Sequence, residues 1–140
     1  IEIVETVEGN YDPDKAMAGM QDVLQAHKNI NVVLSNAEQH LVGAEIALED
    51  AGLDVPSLYL IGGGANQIAI DAIKAGKWDA TLAQLPMSEG EYALNGVVDA
   101  LEGKPTPAFT DEMKLGGDMP AIITKKALDE HPDYKPEWQG

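Results

Sequence analysis

The residues of this chain with chemistry to offer gather in four short polar stretches, each following an apolar run. They are Glu8 to Asp12, which holds Tyr11; Ser35 to Glu38, with Asn36, Ala37 and Glu38; Gly62 to Asn66, with Gly63 and Gly64; and Gln84 to Met87. An aromatic face beside amide and carboxyl groups suits a sugar-like molecule. Its C–H face stacks, and its hydroxyls require paired donors and acceptors. Other chemistries find little support. The chain has no cysteine, which removes disulfides, zinc–thiolate sites and Cys nucleophiles and leaves the redox compartment open. His27, His40 and His131 show no metal-ligand spacing; His27 falls at a helix end that favours a cation, and His40 is expected exposed on a helix. No Ser lies in Gly-x-Ser-x-Gly and no Ser-His-acid order stands out. Glu5, Glu8 and Asp12 offer carboxylates, but a chain with 24 acidic residues produces such clusters by chance. Gly62-Gly63-Gly64-Ala65-Asn66 ahead of a helix offers backbone N–H groups to a phosphate. It matches neither nucleotide-binding glycine pattern and has no nearby Lys or Arg, so it reads as a tight strand-to-helix turn with room for a ligand. No catalysis, metal or cofactor is expected.

The elements that must position these stretches alternate between strand-like and helix-like, which implies parallel α/β construction. Strands are expected over Ile1–Val7, Ile30–Leu34, Leu58–Ile61 and Thr81–Leu85, the inner ones apolar enough to be covered on both faces. Asp12 and Pro13 open a helix whose buried stripe is Ala16, Met17, Met20, Val23 and Leu24. A second helix runs from about Glu38 to Ala51 and stops at Gly52. A third is capped by Asn66 and ended by Gly76, and Ser88 caps a fourth reaching Leu101. Ligands of an open parallel sheet bind beyond the carboxyl ends of its strands, where all four polar stretches fall. After Gly103 the pattern changes: Lys104-Pro105-Thr106-Pro107 cannot be helical, and Met113–Thr124 has room for one short strand. Trp78 reads as packing over a helix-to-strand connection, and Tyr134 and Trp138 as aromatics docking a surface tail, none with a functional role. With 44% hydrophobic residues, the 140-residue chain can build one core, and its apolar runs are too short to span a membrane. The net charge of −15 repels phosphate backbones, so nucleic acid is not an expected partner.

In "HKNINVVLSNAEQHLVGAEIALEDAG", "LYLIGGGANQIAIDAIKAGKWDATLAQLP" and "GEYALNGVVDALEGKPTP" the sequence resembles the type I periplasmic binding proteins, especially their ribose- and galactose-binding group. The resemblance runs from about Asn10 to Pro107 and implies a three-layer αβα lobe with a mostly parallel sheet, incomplete in this chain. It implies that residues 1–87 form the ligand-binding segment of a C-terminal lobe. Residues 88–140, beyond a hinge around Leu85 to Ser88, become a helix and tail of the other lobe. Position by position, it places the sugar-stacking aromatic on Tyr11 and the Gln before the hinge on Gln84. The family's Asn-Asp pair falls on Ala37-Glu38, with Asn36 adjacent, and its Asp after the third strand falls on Gly64. An Asp there accepts two hydroxyl hydrogen bonds, each worth about 1.5–3 kcal/mol. Without it the implied ligand is a different small sugar or polyol, held partly by backbone at the glycine run.

The function implied is that of a non-enzymatic solute-binding component of an ABC transporter, periplasmic or extracellular, which delivers its ligand to a membrane permease. The rival is the effector-binding core of a LacI-type repressor, with a DNA-binding segment upstream; a nucleotide-using enzyme is a distant third. The start at Ile1, inside a strand-like run, makes a piece of a longer protein the expectation. Its exposed sheet edges would then favour self-association of the chain alone.

Overall fold

The computed structural model of the chain describes residues 1–140, the side chain of Met113 excepted. Helix α1 (Pro13–Ala26) opens as its residues dictate: the Asp12 carboxyl accepts the N–H groups of Asp14 and Lys15 at 3.0 and 3.3 Å, and Pro13 supplies the first helical φ. Strand β1 (Val32–Leu34) follows, then α2 (Glu38–Asp50), a 3₁₀ turn at Val55–Ser57, and β2 (Tyr59–Gly64). Helix α3 (Gln67–Ala75) is capped by Asn66, whose Oδ1 accepts the Ala69 N–H at 3.0 Å, and ends on left-handed Gly76. Strand β3 (Ala80–Ala83) leads into α4 (Pro86–Leu101); a 3₁₀ turn at Glu112–Gly116, strand β4 (Ile122–Thr124) and helix α5 (Lys125–Glu130) complete the order.

The sheet runs β1-β2-β3-β4, parallel except for β4, which pairs antiparallel with β3. The α/β class and mostly parallel sheet are as expected. Along one face, Val33, Leu60, Thr81, Ala83 and Ile123 turn toward helices α1, α2, α3 and α5. Leu41, Leu48, Ile70, Ile73 and Leu128 join them in a single core. The opposite face carries exposed Val32, Leu34, Tyr59, Leu82 and Ile122. Helices α1 and α2 meet through Gly43, where an added Cβ would lie 2.0 Å from the Pro13 carbonyl oxygen.

Several expectations need correction. Ile1–Val7 forms no strand: Ile1, Ile3, Val4 and Val7 are exposed and find no sheet edge to pair with, although Val7 rests on Gly19 of α1. The glycine run is the second half of β2 rather than a turn. Gly62, Gly63 and Gly64 register with Thr81, Leu82 and Ala83, and the chain turns only at Ala65, where φ is 52°. Ser88 does not cap α4, which starts two residues earlier at Pro86. The tail lies against this sheet through β4 and α5. Helix α4 itself buries none of its residues.

Gly43→Ala should destabilise the fold by about 1–3 kcal/mol, because the Pro13 carbonyl is backbone and cannot move aside cheaply. Urea unfolding followed by circular dichroism measures this.

Candidate functional site

The carboxyl ends of β1, β2 and β3 bring three of the four polar stretches to one rim, and the turn before α1 adds the fourth. That turn is strained: Asn10 and Tyr11 both have positive φ, at 51° and 58°. It is held by His40, whose Nε2 accepts the Tyr11 N–H at 2.7 Å while the two rings lie 5.5 Å apart. Because Nε2 accepts, the ring proton of the neutral imidazole sits on Nδ1 and points to Ser35 Oγ at 3.2 Å. That hydroxyl in turn donates to the Ala37 carbonyl at 2.9 Å. His40 is therefore a half-buried part of the rim, not the exposed helical residue expected. Tyr11 as a residue is two-thirds exposed (66%).

Next along the rim, Asn36 is exposed, Ala37 is buried, and Glu38 begins α2 with no exposed surface. Glu38 reaches under the end of β2, where its Oε1 accepts the Ala65 N–H at 2.8 Å and the Thr81 hydroxyl at 2.5 Å. Its position at the start of α2 sets it against the unpaired N–H groups of that helix, the end that favours a carboxylate. Its other oxygen, Oε2, has no partner among the described residues. The glycines make this approach possible. A Cβ on Gly63 would lie 3.0 Å from the Asn36 carbonyl oxygen, and one on Gly64, whose φ is 136°, 2.2 Å from Glu38 Oε2. Asn36, Ala37, Glu38, Gly63 and Gly64 thus form one contiguous cluster. Gln84 lies exposed one residue beyond Ala83, the register partner of Gly64, and Tyr11 joins the cluster only through His40 and Ser35.

Sequence reading missed what covers this cluster. The Trp138 indole N–H donates to the Gly64 carbonyl at 2.7 Å, and the Trp138 carbonyl accepts the Gln67 N–H at 3.2 Å. One residue earlier, the Glu137 carboxylate accepts the Met87 and Ser88 N–H groups, at 2.9 and 3.0 Å, and the Ser88 hydroxyl, at the start of α4. Burial raises the Tyr134 phenol above its ordinary pKa, and the nearby Glu137 charge adds to the rise. The signal in the sequence was the pair of aromatics in an otherwise polar tail. Trp78, by contrast, is packing as expected: it is buried and donates to Glu45 Oε2 at 2.7 Å. Among the described residues no group of His, Cys, Asp and Glu has the arrangement of a metal site.

Residues 1–105 match the family model described as a periplasmic binding protein domain, and the chain belongs to that family. Among curated proteins, it is 31% identical over 104 residues to the ribose import binding protein of Bacillus subtilis, covering 74% of this chain and 33% of that protein. It is 26% identical over 104 residues to a putative rhizopine-binding protein of Rhizobium meliloti, covering 74% and 34% respectively. The chain spans about a third of the length of these relatives. Two solved ABC transporter solute-binding proteins share its fold. One, from Actinobacillus succinogenes with bound D-allose, has a TM-score of 0.79 and 24% identity over 93% of this chain and 44% of that one. The other, from Bacillus halodurans with bound myo-inositol, has a TM-score of 0.76 and 24% identity over 94% of this chain and 43% of that one.

Gly64→Ala should cost about 1–3 kcal/mol, since its positive φ and the Glu38 and Trp138 side chains leave no place for a methyl group. Gly90→Ala, in open space on α4, should instead stabilise by roughly 0.5–1 kcal/mol. Paired urea melts of the two variants check both signs.

Proposed function

We propose that this chain is the ligand-binding part of a solute-binding component of an ABC importer, capturing a small sugar or polyol between two lobes and delivering it to a membrane permease. The observation that carries the reading is the rim itself: at the carboxyl edge of a parallel sheet the Glu38 carboxyl lies under the glycine end of β2, and an exposed Tyr11 is linked to that cluster through His40 and Ser35. An aromatic platform beside hydrogen-bonding groups is the chemistry a sugar's two kinds of surface demand. The family and the import receptors it resembles support this reading over a repressor core. Binding by such a rim breaks no bond, so no catalytic group is needed. In this reading the whole protein works in the periplasm or outside the cell.

The ligand contacts we propose are Tyr11 for stacking, Glu38 and Asn36 for hydroxyls, Gly63, Gly64 and Ala37 for backbone polar groups and close approach, and Gln84 beside the hinge. Residues 1–85 and 119–140 would make one lobe, with α4 in the other. That division accounts for a helix whose Met87, Tyr92, Leu94, Val97, Val98 and Leu101 are all exposed. A surface hollow lies between the far ends of α1 and α2, lined by Leu24, Lys28, Ala47 and Leu53, away from the rim. For the chain alone, the uncovered sheet face formed by Val32, Leu34, Tyr59, Leu82 and Ile122 favours self-association.

A thermal-shift screen against pentoses, hexoses, deoxysugars and polyols tests the binding reading. A true ligand at a hundredfold excess over its dissociation constant adds about 2.7 kcal/mol of stability, and Tyr11→Ala should weaken that ligand roughly tenfold, at the upper end of an aromatic contact. No saturable response from the complete protein that carries this chain refutes the reading. In sedimentation velocity the chain alone should show concentration-dependent association that Leu82→Lys with Ile122→Lys abolishes; a monomer at all concentrations refutes the self-association.

A further inference from the structure

Two buried polar atoms flank the end of β2 without a partner among the described residues, Glu38 Oε2 and Asn66 Nδ2. Both side chains are wholly buried, and both are half-used. Glu38 spends Oε1 on Ala65 and Thr81, and Asn66 spends Oδ1 on the cap of α3. A carboxyl oxygen is thereby left beside Gly64 and an amide N–H₂ beside residue 140, at either side of the turn out of β2. A hydroxyl both donates and accepts, so adjacent hydroxyls of one molecule satisfy such a pair.

What lies on these atoms is the segment 137–140. A Cβ on Gly64 would sit 2.2 Å from Glu38 Oε2 and 2.8 Å from Trp138 Cζ2, so the indole and the carboxyl crowd the same side of that residue. A Cβ on Gly140 would sit 2.5 Å from Asn66 Nδ2, so the last residue lies directly on the amide. The segment covers both atoms and satisfies neither. Its own anchors are few and polar: the indole N–H on Gly64, the Trp138 carbonyl on Gln67, and Glu137 on the first turn of α4. A cover that leaves a donor and an acceptor dry is a poor occupant of the position compared with a molecule that pairs them.

We propose that residues 137–140 are a displaceable intramolecular cap over a hydroxyl-binding pair, Glu38 Oε2 and Asn66 Nδ2, and that a polyhydroxylated ligand competes with the cap for that position. The proposal rests on the sugar- or polyol-receptor reading and adds to it a built-in competitor. Because Glu137 holds the start of α4 just beyond Gln84, release of the cap also frees the hinge side of the rim. If the cap is open only part of the time, apparent affinity falls by the open fraction, and removing the cap restores it.

The experiment compares the chain, a form ending at Pro136, Trp138→Ala and Glu38→Gln, using D-allose, D-ribose and myo-inositol as probes in titration calorimetry. The expected result is that at least one probe binds the form ending at Pro136 and Trp138→Ala roughly tenfold more tightly than the chain, while Glu38→Gln loses most of that binding. Equal affinity with and without residues 137–140 overturns the cap and leaves the receptor reading standing. No binding of any probe to any form, with cooperative melting retained, overturns the cap, and the receptor reading falls with it when the complete protein that carries this chain also binds none of them. A second readout needs no variant. In ¹⁵N-labelled protein the Trp138 indole N–H signal should shift toward a solvent-exposed position at saturation, while that of Trp78, bonded to Glu45, stays fixed. A Trp138 signal unmoved by a saturating probe also overturns the cap.

Discussion

A single buried side chain organises the rim at the carboxyl ends of the strands. Glu38 has no exposed surface, yet it belongs to a residue type that is almost never fully buried unless its oxygens are paired. Its Oε1 draws together three elements: α2, which carries it; Thr81 in β3; and Ala65 at the turn out of β2. Leaving such a group unpaired in a low-dielectric interior costs far more than one ordinary hydrogen bond contributes, so the three elements are fixed relative to one another by what their separation would cost. The glycines follow from the same constraint. Where a carboxyl must pass beneath a strand end, that end can carry no side chains, and Gly62, Gly63 and Gly64 are where β2 comes closest to Asn36, Glu38 and Leu41.

From that fixed corner the rest of the lobe is conventional. Apolar side chains of α1, α2, α3 and α5 cover one sheet face, and Gly43 lets α1 and α2 come into backbone contact. The far end of α2 is tied to the β3 side by Glu45, which accepts from both the Trp78 indole and Lys77, and the Lys77 ammonium is held above its ordinary pKa by hydrogen bonds to Glu45 and Glu49. At the start of α4 the chain manages its excess of acid differently. Glu89 accepts the Leu85 N–H, Glu137 accepts those of Met87 and Ser88, and Glu112 is pushed up in pKa by its hydrogen bond to Glu89. Carboxyl groups thus cluster where a helix N-terminus offers unpaired donors, close to the hinge.

Much of this was legible because local chemistry and fold agreed. Asp12-Pro13, Asn66 and Gly76 mark helix ends by mechanisms that act within a few residues, and the short apolar runs fall on observed strands. What escaped was decided by distant partners. Ile1–Val7 has a strand's composition but no edge to pair with. The glycine run has a turn's composition, yet sheet pairing to β3 keeps it extended until Ala65. The family's site positions located the Asn36–Glu38 and Gly63–Gly64 cluster. They gave no hint of His40 bracing Tyr11, or of a tail that returns 74 residues along the chain to bond Gly64. A long-range contact of a polar tail leaves only a faint trace in sequence, here two aromatics among charges and prolines.

The resemblance implies an Asp where this chain has Gly64 and a shorter acid where it has Glu38, and the geometry links the two positions. At Gly64 the positive φ disfavours any side chain, and the space above it is taken by the Glu38 carboxyl and the Trp138 ring. Glutamate is longer than aspartate by one methylene, and that length lets the start of α2 deliver a carboxyl beneath residue 64 while keeping the Thr81 and Ala65 bonds. Neither change works without the other: a side chain at position 64 would collide with Glu38, and a bare glycine there without Glu38 would leave the Ala65 N–H to Thr81 alone. Compared with what the resemblance implies, the acid on the helix side is one methylene longer, and the strand side carries none.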